Sequence, residues 1–179
     1  MPGKARKFET FTADQVRTVL DGIAKDRNRH AWHLALAGLR RGEIAGLRWD
    51  DVDLGHRTVR IGKTRVDVGG RALDQDDPKT ASAGRMLPLP DALLGELTAA
   101  KVRQAAERPS LGEAYAGLDY VVCNEAGEPY HPSTLSTMWH AAIKNLEVPQ
   151  VRLHDARHTC ATLMQDHLRQ HFSGRADRI

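Results

Sequence analysis

Three short segments concentrate the arginine, lysine and histidine side chains that could act on a charged substrate. The first covers residues 38–43 and reads Gly-Leu-Arg-Arg-Gly-Glu. A carboxylate three positions after an arginine allows Glu43 to hold Arg40, or a nearby backbone group, in place. Considered alone, this segment is better explained as a pair of surface arginines that cap a helix.

The second segment covers residues 78–85 and centres on Lys79, which precedes an apolar Met-Leu-Pro-Leu stretch. A lysine in front of a strand is usually a solvated loop residue. A lysine on a mobile hairpin can also reach a leaving oxygen and donate a proton to it. The spacing does not decide between these two interpretations.

The third segment covers residues 154–159 and reads His-Asp-Ala-Arg-His-Thr. On a helix, His154, Arg157 and His158 lie on one face. An imidazole beside a guanidinium makes a good phosphate clamp, because arginine stays charged and binds phosphate oxygens in a bidentate manner. Backbone N–H groups near a helix start add to this preference for an anion.

Two other interpretations of the histidines stay open. A metal site is one, because His154 and His158, like His167 and His171, are four residues apart. No carboxylate or cysteine arrangement completes a recognised ligand set, so we expect no metal. The other is structural, with one histidine buried in the core and one exposed.

Composition excludes several classes of protein. A chain of 179 residues with 41% hydrophobic and 27% charged residues fits one globular domain. Aromatic residues make up 5%, which argues against an aromatic platform that stacks nucleic-acid bases. Two cysteines, Cys123 and Cys160, exclude a disulfide framework and a four-cysteine zinc site. No apolar stretch is long enough to span a membrane and no secretory signal is recognisable, so we expect a cytoplasmic protein.

The net charge of +3 is unevenly distributed. Basic residues outnumber acidic ones in residues 1–48 and 151–179, whereas acidic residues predominate in between. Two basic ends suit a polyanionic partner such as nucleic acid. A mixed solvated surface explains the charge alone about as well.

Residue periodicity predicts a mainly α-helical fold with a small antiparallel sheet inserted among the helices. A capping box, in which Thr12 and Gln15 bond each other's backbone, opens the first helix. Further helices are predicted over 28–39, over 41–47, from Pro90, over 131–146 and from Leu153. The predicted strands cover 58–61, 64–68 and 85–89, with a polar loop before the last of them, and a buried strand covers 120–123. A loop is predicted over 108–119.

Taken together, the three segments in this order and at these intervals resemble the catalytic domain of the tyrosine recombinases, the phage integrase family. Residues 47–53, Leu-Arg-Trp-Asp-Asp-Val-Asp, and residues 153–159 add to the likeness, which covers roughly 11–164. The resemblance implies that family's fold, mainly helical with a three-stranded antiparallel sheet. We expect residues 1–10 to be a tail or linker stub, 11–164 an incomplete catalytic domain and 165–179 a divergent C-terminal tail.

The resemblance also implies a chemistry. In this family a tyrosine attacks a DNA phosphodiester and forms a 3′-phosphotyrosyl link, without a metal or other cofactor. Arg40 and Arg157 would grip the non-bridging oxygens, and Arg40 is chosen over Arg41 because the family motif has the arginine directly after Gly-Leu. Lys79 would be the general acid for the 5′ leaving oxygen. His154 would accept or relay the proton of the nucleophile.

The supporting and DNA-contacting residues follow from the same resemblance. Glu43 and His158 would support the residues that touch the phosphate. The residues expected to bind DNA are Arg40, Lys79 and Arg157. The expected partners are double-stranded DNA and, as a further class, other recombinase protomers, but no membrane and no small-molecule cofactor.

The sequence departs from the family pattern in two respects. No tyrosine follows His158, and the tyrosines present are Tyr115, Tyr120 and Tyr130. We also expect the family's N-terminal domain, which clasps the other face of the duplex, to be absent. We therefore expect a recombinase domain without its nucleophile that does not cleave DNA alone, through a disrupted reading frame or shortening. The alternatives are a non-cleaving DNA-binding regulator and a module completed in trans by a partner protomer.

Overall fold

The computed structural model describes residues 10–76 and 85–161. Six α-helices lie within these two ranges: α1 Ala13–Gly22, α2 Arg29–Leu36, α3 Arg41–Gly46, α4 Asp91–Leu111, α5 Pro132–Ile143 and α6 Leu153–Ala156. Five strands accompany them: β1 Val52–Asp53, β2 Thr58–Ile61, β3 Lys63–Val68, β4 Arg71–Asp76 and β5 Arg85–Pro88. The predicted fold class, mainly helical with a three-stranded antiparallel sheet, is confirmed.

Hydrogen bonds and a proline close to the first residues explain where helices α1 and α5 begin. At α1 the predicted capping box is present, since the Thr12 N–H donates to Gln15 Oε1 at 2.9 Å and the Gln15 N–H donates to Thr12 Oγ1 at 3.3 Å. At α5, Pro132 occupies the first turn, where no N–H is needed, and His131 Nδ1 accepts from the Ser133 N–H at 3.2 Å. The sequence alone is enough to set these two boundaries.

The composition of the three-stranded sheet differs from the prediction. Strand β2 pairs with β5, with Val59 opposite Leu87, and its other neighbour is β1. The predicted strand over 64–68 belongs instead to a separate two-stranded sheet. The two-residue strand β1 is too short to show a period of two, so its sequence carries no strand signal.

The separate sheet is a hairpin of β3 and β4, and it corrects the predicted polar loop. Gly69 and Gly70 both have positive φ values, 60° and 82°, which suits a tight two-residue turn. Such a turn makes β3 pair with the chain that immediately follows it. The polar residues of β4 hid this strand from the sequence analysis, because they do not alternate with apolar ones.

Three further boundaries differ from the sequence expectations. Helix α4 continues to Leu111, into the predicted loop over 108–119. Residues 120–123 are buried as predicted but pair only through single bridges, Arg48 with Tyr120 and Cys123 with Pro129. Helix α6 ends in a turn at Arg157, after which the chain is helical again over 158–161. The predicted interior positions Leu163 and Met164 lie outside the described residues.

An aromatic cluster holds the two ends of the described chain together. The ring of Trp139 in α5 lies 5.6 Å from Trp32 in α2 and 6.2 Å from Phe11, and all three side chains are buried. The Phe11 N–H donates to Thr159 Oγ1 at 3.3 Å, and Trp139 Nε1 donates to the Val151 carbonyl at 2.8 Å. The third segment of the sequence is therefore fixed against α2 and α5.

Among the described helices, none combines the length and the apolar character that crossing a membrane requires.

One buried histidine makes the stability of this fold depend on pH. His30 in α2 is 1% exposed, and its Nε2 lies 3.0 Å from the Val121 carbonyl. Burial, with a further contribution from the charge of Arg103, lowers the pKa of His30 to about 4. The unfolded chain protonates a histidine near pH 6.5, so between these two values the unfolded state binds more protons.

We predict that the free energy of unfolding falls as the pH drops from about 6.5 to about 4. The loss attributable to His30 is about 2 kcal/mol between pH 7 and pH 5. Urea unfolding at both pH values measures it, with His30→Gln as the comparison because glutamine can still donate to Val121. An equal loss in the variant would assign the pH dependence to another group.

Candidate functional site

Arg40 lies at the start of α3, in extended backbone conformation with φ −74° and ψ 151°. Its N–H donates to Glu43 Oε2 at 2.6 Å, and its Nη1 lies 3.6 Å from Glu43 Oε1. The contact expected from the three-residue spacing is therefore present. The Glu43 carboxylate holds the backbone of Arg40 and attracts its side chain, which is 54% exposed and free to meet a ligand.

The same carboxylate also binds Arg85, for which the sequence analysis gave no role. Arg85 Nη1 donates to Glu43 Oε1 at 3.0 Å and Nη2 donates to Oε2 at 2.8 Å, a bidentate pair. Glu43 is 3% exposed, and a carboxylate so buried needs such partners. The signal in the sequence is the position of Arg85, six residues after Lys79 and directly before an apolar stretch.

Lys79 itself lies outside the described residues, between the end of β4 and the start of β5. Its role as a general acid stays a prediction.

Gly38 brings the first segment against the third. Its φ of 102° belongs to the left-handed region, and it ends α2 before the predicted Leu39. The Gly38 N–H donates to the Ala35 carbonyl and the Leu39 N–H to the Leu34 carbonyl, which is a Schellman motif. A Cβ on Gly38 would lie 3.9 Å from the Arg157 carbonyl oxygen. The chain that leads into Arg40 thus packs on the backbone of Arg157.

His154, Arg157 and His158 remain neighbours across the turn that ends α6. The rings of His154 and His158 have centroids 6.4 Å apart at an angle of 81°. Partial shielding from solvent, followed by the positive charge of Arg157, lowers the pKa of His154 below its usual 6.5. A neutral imidazole at physiological pH can accept a proton.

The guanidinium of Arg157 is incompletely bonded. Its Nε is shielded from solvent and has no hydrogen-bond partner within the described part of the chain. A buried donor without a partner costs free energy, and a charged one costs more. Arg27, Arg48, Arg65 and Arg103 also have a shielded Nε without a hydrogen-bond partner in the described residues, so this feature alone does not single out Arg157.

No three histidine, cysteine, aspartate or glutamate side chains among the described residues lie close enough to hold a metal ion. His167 and His171, the second pair considered as metal ligands, lie outside those residues.

We predict that Glu43→Gln lowers the free energy of unfolding by about 2 kcal/mol, because two guanidinium groups then lose their shared counter-charge. Thermal or urea unfolding measures the loss. The matched control is Asp14→Asn, which breaks an exposed pair with Arg17 at the same three-residue spacing. The control should lose less than about 0.5 kcal/mol. Equal losses in both variants would contradict a structural role for the Glu43 cluster.

Comparison with known proteins finds relatives among the recombinases and integrases. The chain is 28% identical over 169 residues to the tyrosine recombinase XerC-like protein of Caldanaerobacter subterraneus, covering 87% of this chain and 43% of that protein. It is 32% identical over 210 residues to an integrase of Saccharopolyspora erythraea, covering 88% and 48%. The chain thus spans less than half the length of these two relatives.

A solved structure shares the fold. The integrase of the Tn1549 transposon, in complex with transposon right end DNA, superimposes with a TM-score of 0.75 at 21% identity, covering 93% of this chain and 56% of that one. The sequence model of the phage integrase family matches residues 9–168. The resemblance found in the three segments is therefore confirmed, and the chain belongs to the phage integrase family, in which it matches the catalytic domain of the tyrosine recombinases.

Proposed function

We propose that this chain binds double-stranded DNA and holds one backbone phosphate between Arg40 and Arg157. The observation that carries the proposal is the position of Arg157, whose backbone packs against Gly38 in the segment that leads into Arg40 and whose charge lies beside His154. Two guanidinium groups on adjoining segments can bind a phosphate through its non-bridging oxygens. The DNA complex of the structurally similar Tn1549 integrase supports the choice of DNA over a small phosphate compound.

The proposed chemistry assigns each group one task. Two guanidinium groups stabilise the negative charge that builds up on the phosphate oxygens when a tyrosine oxygen bonds to phosphorus and the bond to the 5′ oxygen breaks. His154 takes or relays the proton that the tyrosine loses. Lys79 gives a proton to the 5′ oxygen as it leaves. Glu43 keeps Arg40 in place and His158 lies beside His154.

The three tyrosines of this sequence are poor candidates for the nucleophile. The Tyr120 hydroxyl donates to Asp74 and accepts from Arg48 and Arg65 at 3.0 and 2.9 Å. Burial, together with the bond to Asp74, raises its pKa. Burial likewise raises the pKa of Tyr115, and Tyr130 packs half-buried on the core. We infer that these residues alone do not cleave DNA, and that the nucleophile comes from elsewhere in a longer protein or from a partner protomer.

The engagement of these tyrosines also favours a second candidate function. A chain that keeps the phosphate-binding arginines without a free tyrosine would bind DNA and compete with active recombinases. Binding without covalent attachment distinguishes it from the enzyme.

We predict that replacing Arg40 and Arg157 together by glutamine weakens duplex binding and lowers its dependence on salt. The slope of log K against log salt should fall by about 2, near 0.9 for each lost phosphate contact. Fluorescence anisotropy with a labelled duplex over a range of salt concentrations measures it. Arg17→Gln combined with Arg108→Gln removes the same charge from residues paired with Asp14 and Asp119. A slope unchanged in the Arg40 and Arg157 variant would place the phosphate contact elsewhere.

We predict no covalent protein–DNA product when this chain alone meets nicked suicide duplexes of randomised sequence. Denaturing gels of the reaction show the product as a slower band, and a full-length recombinase on its own nicked site is the positive control. A band from this chain would contradict the proposal that its own tyrosines are inactive. Mapping the linked residue would then identify the nucleophile directly.

A further inference from the structure

A basic cleft opens between α5 and the beginning of α6, next to the candidate site. Its volume is about 390 Å³. No aspartate or glutamate is among its lining residues. Trp139, Val151 and Leu153 supply its apolar lining. The polar side chains that line it are Arg41, Ser136, His140, Gln150, Arg152 and His154.

The two arginines of this cleft keep donors available. Arg41 is exposed, and its Nη1 donates to Ser136 Oγ at 3.0 Å, so its partner is a neutral hydroxyl. Within the described ranges, no carboxylate forms an ion pair with Arg41. Arg152 gives its Nε to Asp155 at 2.7 Å and is 56% exposed. Its two terminal nitrogens have no hydrogen bond to the described residues, so both guanidiniums can bind an anion.

The two adjacent arginines of the first segment have different surroundings, and only Arg41 lines the cleft. Arg40 lies before the first turn of α3 and is drawn to Glu43, whereas Arg41, the first helical residue, contacts α5. Arg40 has extended backbone and Arg41 is the first helical residue, and the two side chains have different partners, Glu43 and Ser136. The arrangement therefore directs the two arginines to different parts of the protein.

We propose that the cleft holds a second phosphate of the same DNA strand, next to the phosphate assigned to Arg40 and Arg157, with Arg41 and Arg152 as its ligands. This inference rests on the proposed function, because His154 lines the cleft and also neighbours Arg157. The cleft is larger than one phosphate needs and falls in the range of ligand-sized pockets. Its volume and apolar lining suit the attached sugar.

The test is the salt dependence of duplex binding by the full chain. Arg41→Gln and Arg152→Gln should each lower the slope of log K against log salt by about 1, and the double variant by about 2. Arg108→Gln, which removes one charge from a residue paired with Asp119, should lower the slope less than either cleft variant. Arg41→Lys keeps the charge, so it should preserve the slope while affinity falls several-fold through loss of bidentate geometry.

The outcomes separate the two proposals. A slope unchanged by the cleft variants, but lowered by the Arg40 and Arg157 double variant, overturns the cleft and leaves the proposed function standing. A slope lowered by the cleft variants alone overturns the proposed function, and with it the adjacency of the two phosphates. To test for a small-anion site, inorganic pyrophosphate is added at constant ionic strength, and the NMR signals of the His140 and His154 rings are monitored. Signals that shift only with Arg41 present, while the DNA slope stays unchanged, overturn the assignment to DNA.

Discussion

A carboxylate removed from water must be paired, and this requirement at Glu43 organises the candidate site. Glu43 accepts the Arg40 N–H, attracts the Arg40 side chain and binds Arg85 through both oxygens. Arg40 directly precedes α3, Glu43 lies within it and Arg85 begins β5, so one acidic side chain fixes a helix and a distant strand to each other. Two positive charges beside one negative charge leave the cluster basic. It can therefore be stable without DNA and still attract a phosphate.

The β3–β4 hairpin lies against α3, and small residues make the approach possible. A Cβ on Gly42 would come within 2.8 Å of Thr64 Cγ2, and a Cβ on Gly46 within 2.9 Å of the Arg65 nitrogen. A polar network then attaches the hairpin to the body of the protein. Arg48 and Arg65 lie over the Tyr120 ring at 4.6 and 5.4 Å and bind Asp74 of β4.

The third segment acquires its properties from packing. The turn at Arg157 lies against Gly38, and the Thr159 hydroxyl accepts from Phe11. Arg157 lies beside His154, and its positive charge contributes to the lowered pKa of that histidine. The same fold brings α5 close to α6 and so forms the basic cleft. One set of contacts therefore lowers the pKa of His154 and forms the two phosphate positions that we propose.

The sequence by itself determined the features that depend on contacts between residues close together in the chain. Thr12 and Gln15 cap α1 because they are three residues apart, and the same spacing brings Glu43 to Arg40. The order and spacing of charged residues can be read without knowing where they lie in the folded protein. The order of the three segments was therefore enough to identify the family. Only the tertiary structure decided the pairing of Arg85 with Glu43, the hairpin partner of β3 and the separation of Arg40 from Arg41. The physical reason is that residue periodicity reports local preference, whereas strand partners, burial and lowered pKa values arise from contacts between distant parts of the chain.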